Sequence, residues 1–442
     1  MVGTRPEAIK MLPLIVALRD SERFRPIVVS TGQHAALVED VLAIGDVTPD
    51  VTFDLLQGPR TLNDLFSQVM DNFGRFFTER FGSPLSPEDA PYASGYPAAA
   101  FVHGDTSSAA AAALASFHVK LPVVHVEAGL RTSNTLSPFP EELNRQLISR
   151  IAAFHLAPTT RNKSNLMREG IDYGRIFVTG NTAIDALQLT AARRVPYTDP
   201  RLNELDDPNG PKVVVVTAHR RENWGEPLER IATAVGRLAE SHPDVRFVVS
   251  LHPNPAVADT LTSHLAHVPN VLLTPALGYA EFARLLARAT VALTDSGGIQ
   301  EEAPSLGTPV ICLRETTERQ EGVDAGTVEL VGTDVDRVVT AVSRLLDDEL
   351  ELSRRVKREN PYGDGRSAVR IVLALEHIVF DSPAPAPFGA GFDRASILGA
   401  GGSADPVAAG WTPAWSQRTL RPGTQPDELA DLTDMAETQR IS

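Results

Sequence analysis

The sequence predicts an α/β protein built from two doubly wound domains that face each other across a cleft. Three observations carry that prediction. Short β-branched runs alternate with amphipathic stretches along most of the 442 residues, the pattern of a parallel sheet covered by helices on both faces. The runs fall into two sets, separated by Pro196–Lys212, a segment rich in Pro, Asp and Asn that reads as a linker. The chain is also long enough for roughly two to three domains of ordinary size.

The first set of strands is expected at Pro26–Ser30, Ala100–His103, Val123–Val126 and Ile176–Thr179. Each is short, apolar and followed by a helical pattern. The N-terminus departs from the scheme. A doubly wound domain normally opens with a buried strand, but Met1-Val2 leads straight into Gly3-Thr4-Arg5-Pro6-Glu7. Pro6 and Glu7 suit the first turn of a helix, so the helix is expected and the strand that should feed it is missing. Gly82–Ala99 is rich in Pro, Ser and Gly and reads as a surface loop.

The second set is expected at Val213–Thr217, Arg246–Leu251, Val271–Leu273, Val291–Thr294 and Val310–Leu313. From Asp381 to Ser442 the composition changes. Pro383, Pro385 and Pro387 alternate with alanines, then small and acidic residues dominate. Such a tail cannot bury enough apolar area to offset its ordering entropy and is expected to be disordered. Trp411 and Trp415 are the exceptions in it.

Hydrophobic content of 43% and charged content of 22% are those of a soluble globular protein. No apolar run approaches a membrane span, and no signal-peptide core is evident. The single cysteine, Cys312, lies in the apolar run Pro309–Leu313, so an internal disulfide and a Cys-rich zinc site are excluded. These features fit a cytoplasmic protein. A net charge of −15 argues against broad binding to nucleic acid or anionic membranes, but not against a small anionic substrate held by local cations.

The most informative run is Thr294-Asp295-Ser296-Gly297-Gly298-Ile299-Gln300-Glu301-Glu302-Ala303-Pro304. It places glycines and a hydroxyl between a buried strand and a helix start. There the free N–H groups and the helix dipole favour an anion such as a diphosphate. The two carboxylates a turn later are suited to sugar hydroxyls, so a nucleotide-sugar site is expected. Arg5 and Lys10 lie at another helix entrance, suited to the same diphosphate. Asp105, in Val102–Thr106, and Glu127, in His125–Thr132, both follow strands and should project into one crevice. Blander readings make Asp105 a helix N-cap and Glu127 an ion-pair partner of Arg131. Glu141 opens a helix in Pro138–Arg145, and Arg145, four residues on, can pair with it. His219, in Thr217–Asn223, ends a strand of the second domain beside two arginines. Asp105, Glu127 and Glu141 thus come from the first domain, and His219 with the Ser296-Gly297-Gly298 turn from the second. There is no Gly-x-Gly-x-x-Gly fingerprint and no Walker loop. Histidines 103, 125, 219 and 252 lack metal-ligand spacing, so no metal is expected.

Taken together, the runs GTRPEAIK, TGQH, HGDT, HVEAGLRT, PFPEELNRQ and DSGGIQEEAPSLGTPV, with AHRREN and TTERQEGVDAGTVELVG, closely resemble the non-hydrolysing UDP-N-acetylglucosamine 2-epimerases, from Gly3 to about Phe380. The resemblance implies two Rossmann-like domains in the manner of UDP-glycosyltransferases and glycogen phosphorylase. It implies a homodimer and interconversion of UDP-GlcNAc with UDP-ManNAc. The implied division is residues 1–175 for the acid–base domain and 176–364 for the UDP domain. Residues 365–380 would be a helix returning to the first domain, with 381–442 as the tail. Implied roles are acid–base chemistry for Asp105, Glu127 and Glu141, with Arg145 beside them. Arg5, Lys10, His219, Ser296, Gly297 and Gly298 would surround the diphosphate. Glu302 would bind ribose, Phe282 would lie against uracil, and Arg319 would meet the nucleotide sugar. Gln33, His34 and His252 are candidates for a second, activating UDP-GlcNAc site.

Gln320 stands where the family usually has Pro, and Ala36 where it commonly has a polar residue. The implied reaction eliminates UDP to give 2-acetamidoglucal and re-adds it, so no redox cofactor is needed. Alternatives on the same fold are a glycosyltransferase, a hydrolytic relative, and a UDP-sugar binding protein without turnover.

Overall fold

The computed structural model describes residues 1–55, 61–86, 95–132, 134–207, 209–317 and 319–389. The expected loop is described only on either side of 87–94, and the tail beyond 389, with Trp411 and Trp415, lies outside the described residues.

The first half runs α1 (Arg5–Arg19), β1 (Val29–Ser30), α2 (Ala35–Ala43), β2 (Val51–Thr52), α3 (Leu62–Phe81), β3 (Ala100–His103), α4 (Ser107–His118), β4 (Val123–Val126), α5 (Glu141–Ile151), β5 (Phe154–Ala157), α6 (Thr160–Arg168), β6 (Ile176–Val178) and α7 (Thr182–Ala192). Strands β3 to β6 form a parallel sheet in that order, and β1 pairs in parallel with β2. The strand missing from the sequence pattern has a two-residue counterpart. Val2 bridges to Ser30, with Val2 N donating to Val29 O at 2.9 Å and Thr31 N to Val2 O at 2.8 Å. On the other side the Met1 ammonium donates to Phe101 O at 3.0 Å. Met1–Val2 therefore occupies the ladder position between β1 and β3.

The strand expected at Pro26–Ser30 shortens to Val29–Ser30, because Val28 N turns to the Asp50 carboxylate at 2.7 Å. Ile176–Val178 pairs with β5, so the first sheet extends past the division expected at residue 175. The strands β2, β5 and β12 (below) lie outside the pattern-based set. Two have three residues or fewer, and β5 carries a histidine, His155, that is fully buried nonetheless.

The second half runs β7 (Val213–Thr217), α8 (Glu226–Ser241), β8 (Arg246–Ser250), α9 (Pro255–Leu265), β9 (Val271–Thr274), α10 (Tyr279–Arg288), β10 (Val291–Thr294), α11 (Gly297–Glu302), β11 (Val310–Cys312), α12 (Gln320–Ala325), β12 (Val328–Leu330), α13 (Val335–Asp347), α14 (Glu349–Val356) and α15 (Ser367–Phe380). Its six parallel strands are ordered β12-β11-β10-β7-β8-β9. The order reverses between β7 and β10, which makes their carboxyl ends the switch point where an open α/β sheet binds its ligand. Val213, Val214, Val215 and Val216 are all buried, as a strand covered on both faces requires. The main core packs Leu228, Ile231, Val235 and Leu238 of α8 with Phe247, Val249, Val342 and Leu345. Each such side chain contributes about 1.5–3 kcal/mol by leaving water. Cys312 is buried in β11.

The segment read as a linker is part of this packing. Pro200–Asp206 forms a 3-10 turn, and Leu202 and Leu205 are buried against Val213, Val215 and Leu285. Met1–Val372 and Pro387–Ala390 make one compact unit, which holds both sheets. Within it, the first turn of α15 is tied to the segment after β6, Ala368 N donating to Asp185 Oδ1 at 2.8 Å and Arg370 Nη1 to Thr179 O at 3.4 Å. The second unit includes Leu373–Ala386, helical to Phe380 and irregular beyond.

Candidate active site

Asp105 follows β3, and α4 begins two residues later. The N-cap of α4 is Thr106, not Asp105: Thr106 Oγ1 accepts from Ala109 N at 3.0 Å. The same hydroxyl donates to Glu7 Oε1 at 2.8 Å. Glu7 also accepts from Gly3 N and Thr4 N, which fixes the start of α1 beside the Asp105 loop. With capping done by its neighbour, the Asp105 side chain is available to Arg145, whose Nε and Nη2 reach Oδ2 at 2.9 and 2.7 Å.

Arg145 does not pair with Glu141, as i, i+4 spacing suggested. Its Nη1 donates to Glu142 at 3.0 Å. Glu142 is the residue that α5 turns inward; it is fully buried and also accepts from Thr132 N and Gln146 Nε2. Glu141, the first residue of α5, stands outside this group. Arg131 likewise pairs with Glu169, at 2.6 and 2.8 Å, and leaves Glu127 to other partners.

Glu127 comes directly after β4 with φ +63°, a left-handed conformation that costs a non-glycine residue about 1–3 kcal/mol. The strain turns its carboxylate toward Lys10 Nζ, which bonds to Oε1, and toward His103 Nε2, 3.7 Å from Oε2. Gly104, beside that carboxylate, turns the chain at φ +66°, a conformation that favours glycine. Burial pushes Glu127 up, but Lys10, by its charge and its hydrogen bond, together with His103 and Arg145, outweighs it and holds the carboxyl at about 2. Burial pushes His103 down to about 4, so its imidazole is neutral at pH 7 and Lys10 supplies the positive charge. Asp105 moves the other way. Burial, opposed by Arg145 and reinforced by the Glu127 charge, raises its carboxyl above the ordinary value.

In the second half, β7 and β10 end side by side, with Thr217 and Thr294 hydroxyls 2.6 Å apart. His219 follows β7 and Asp295 follows β10. Asp295 is fully buried and lies 3.0 Å from His219 Nδ1. It also accepts from the backbone N–H groups of His219 and Arg220 and from Asn223 Nδ2. The His252 ring lies parallel to that of His219 at 6.3 Å between centroids. Ser296 caps α11, whose first residues are Gly297 and Gly298. The Arg319 guanidinium lies against Gly297, where an added Cβ would come within 2.7 Å of Cζ. The buried Gln300 ties this turn to the Arg319 loop. It donates to Ser296 O at 3.2 Å and accepts from Thr317 Oγ1 at 2.7 Å, and Thr317 Oγ1 in turn accepts from Arg319 N. Gln320, in place of the expected Pro, opens α12 and donates to Asp324.

Burial, then the adjacent Glu301 charge, pushes Glu302 up to about 7 against the pull of Lys10 and Arg319. Phe282, on α10, is half-buried between two apolar clusters. Lys10 acts on Asp105 and Glu127 from one side and on Glu301 and Glu302 from the other. Arg5 acts on Tyr279 at the start of α10. The entrance of α1 therefore lies within electrostatic reach of Tyr279 on α10 and of Glu301 and Glu302 on α11. Gln33 and His34 precede α2, with His34 N on Gly3 O at 3.1 Å, whereas His252 belongs to the His219 neighbourhood.

The arrangement sets two carboxyls with oppositely displaced pKa values beside the Lys10 and Arg145 cations. It can move protons at a carbon while stabilising a departing diphosphate. Asp295, His103 and Glu142 join these contacts and are given no role by the motif reading, whereas Glu301, read with Glu302 as suited to sugar hydroxyls, pairs with Arg319. The strand-end position of Asp295 was available as a signal. Burial, which distinguishes Glu142 from Glu141, was not.

The family model described as UDP-N-acetylglucosamine 2-epimerase matches residues 16–376. The UDP-N-acetylglucosamine 2-epimerase of Yersinia pestis is 42% identical over 380 residues, covering 85% of this chain and 97% of the relative. That of Escherichia coli K12 is 42% identical over 381 residues, covering 85% and 97%. The crystal structure of the Neisseria meningitidis UDP-GlcNAc 2-epimerase bound to UDP-GlcNAc is 36% identical. It superposes with a TM-score of 0.76 over 85% of this chain and 98% of that one.

Proposed function

The chain belongs to the UDP-N-acetylglucosamine 2-epimerase family, and from that premise we propose how its cleft carries out the reaction. The enzyme inverts C2 of UDP-GlcNAc to give UDP-ManNAc, reversibly. Its fold is the paired Rossmann-like architecture of the UDP-glycosyltransferases and glycogen phosphorylase. Neither the glycosyltransferase nor the inactive-binder alternative gains an observation in its favour.

The C2 proton of the sugar is scarcely acidic until the C1–O bond begins to break. As UDP leaves with the bonding electrons, C1 gains oxocarbenium character and a carboxylate removes the C2 proton, giving 2-acetamidoglucal and UDP. A proton delivered to the other face of C2 and re-addition of UDP at C1 complete the inversion. The single observation that supports this reading is the pairing of Glu127, held ionised by Lys10, with Asp105, whose carboxyl is raised. Glu127 and Asp105 are suited to share the base and acid roles on the two faces of C2, exchanging them when the reaction reverses. Glu141 remains a third candidate at the mouth of α5.

Arg5, Lys10, His219, Ser296, Gly297, Gly298 and Arg319 hold the diphosphate in this proposal. Glu302 takes the ribose hydroxyls, Phe282 lies beside uracil, and Arg145 orients Asp105. Gln33, His34 and His252 are proposed for a second, activating UDP-GlcNAc site. The domain before β7 supplies the acid–base groups and the one from β7 onward holds UDP. A homodimer is proposed, supported by the exposed apolar group Leu136, Phe139, Leu143 and Leu147 leading into and along α5. No helix among the described residues is long and apolar enough to cross a membrane, and a cytoplasmic location, where nucleotide sugars are made, is proposed.

Positional isotope exchange tests the elimination. With ¹⁸O in the C1–O–P bridge, turnover should scramble the label into the non-bridging β-phosphate oxygens. Epimerisation with the label still in the bridge would rule out C1–O cleavage.

A further inference from the structure

Glu301 stands beside Glu302 but is engaged differently. Its Oε1 accepts from Arg319 Nε at 2.8 Å, its Oε2 from Asn181 Nδ2 at 3.1 Å, and its backbone O from Asn360 Nδ2 at 2.7 Å. The three partners come from three parts of the fold. Arg319 caps α12 and lies on Gly297. Asn181 caps α7, the helix on which the chain leaves the first sheet, with Oδ1 accepting from Ala183 N at 2.9 Å. Asn360 belongs to the segment that returns toward α15. The two crossings are bonded to each other, Asn181 N donating to Tyr362 O at 3.0 Å. Tyr362 Oη accepts in turn from Gly322 N of α12, also at 3.0 Å.

A carboxylate can accept at both oxygens at once, and only an ionised one makes charge-assisted bonds to a guanidinium and an amide together. No other residue type of this length fills that place. We propose that Glu301 is a positioning residue that couples Arg319 to the two chain crossings between the domains. The hold of Arg319 on the diphosphate and the setting of one domain against the other then change together. This rests on the reading of Arg319 as a nucleotide-sugar ligand. When a diphosphate on the Ser296–Gly298 turn takes hydrogen bonds from Arg319, the Glu301 carboxylate shares that guanidinium with it, and the crossings feel the change through Asn181 and Asn360. Glu302, its neighbour, is left to the ribose.

The test exchanges the two bonding groups. In Glu301→Gln the amide keeps an acceptor for Arg319 but faces the Asn181 amide with a second donor. In Asn181→Asp two carboxylates face each other. In the double variant the carboxylate now at position 181 accepts from the amide now at position 301, and its other oxygen can still cap α7. UDP affinity is measured by calorimetry on the full chain, with kcat and KM for UDP-GlcNAc and thermal unfolding alongside. Each single variant is expected to bind UDP about tenfold more weakly and to raise KM similarly, the effect of spoiling one charge-assisted bond. The double variant should recover to within about threefold. Wild-type UDP affinity in Glu301→Gln, or a double variant no better than the singles, would overturn the proposal. If Glu301→Gln fails to fold, Asn181→Asp and the double variant carry the same comparison. Loss and recovery of UDP binding in an enzyme that shows no epimerisation would sink the catalytic reading and leave the coupling standing.

Discussion

Asp295 lies 3.0 Å from His219 Nδ1 and accepts the His219 backbone N–H with its two oxygens, at 3.1 and 3.0 Å. A fully buried carboxylate thus fixes both the ring and the main chain of a residue whose side chain is 40% exposed. Two strand ends adjacent at the switch point make this possible, because Thr217 and Thr294 are in register. The ring is thereby set to donate from Nδ1 to Asp295, which leaves Nε2 for the diphosphate in the proposed reading.

Asp295→Asn should therefore lower kcat by about 10²–10⁴-fold, the contribution of one positioned group, and His219→Asn by a similar factor. The double variant should be little worse than either single one, since the two act as a unit. Steady-state kinetics check this, and additive losses would separate the two residues.

Asp105→Asn and Glu127→Gln should each abolish epimerisation while UDP binding stays largely intact, because neither carboxyl is needed to hold the diphosphate. Calorimetry with UDP beside a turnover assay reads the split. Near-wild-type turnover in both variants would remove these residues from the mechanism.

Lys10→Met should raise the Glu127 carboxyl, which burial pushes up and Lys10 holds at about 2. A base must be ionised, and raising its pKa moves the acid limb of kcat to higher pH. The wild type should show no Glu127 limb at any practical pH, whereas the variant should lose activity on acidification within the range where the wild type is flat. Coincident kcat–pH profiles would show that Lys10 does not tune Glu127, whatever happens to KM.

Glu302, raised to about 7, is largely protonated below that pH in the free enzyme. Ribose hydroxyls donate to the ionised form, so UDP binding should release a proton. Affinity should then improve as pH climbs toward about 7, by up to about tenfold per unit, and level off above it. Glu302→Gln should flatten this dependence. Calorimetric titrations between about pH 6 and 8 check it, and an unchanged slope in the variant would assign the proton elsewhere.

Much of this site was legible because chemistry in an open α/β sheet sits where apolar strands stop. Asp105, Glu127, His219 and Ser296 each stand within two residues of the end of a mostly apolar strand, and such a run is visible in sequence. The less legible features depend on which way a short segment turns. Spacing allows Arg145 to reach Glu141, yet α5 buries Glu142, and only packing decides between adjacent carboxylates. Asp105 and Thr106 are both good caps, and the hydroxyl took the role because Glu7 holds it. The place of Met1–Val2 in the first sheet is set by Ser30 and Phe101, distant in sequence and without a periodic signal. Leu202 and Leu205 make an apparent linker into part of a core through contacts with strands that follow it.

Proton NMR of the purified protein with UDP-GlcNAc in D₂O tests the central claim most directly. UDP-ManNAc signals should grow in while the C2 proton resonance is lost from both sugars, with no free ManNAc released. An unchanged spectrum with UDP bound, or epimerisation that retains the C2 proton, would contradict it.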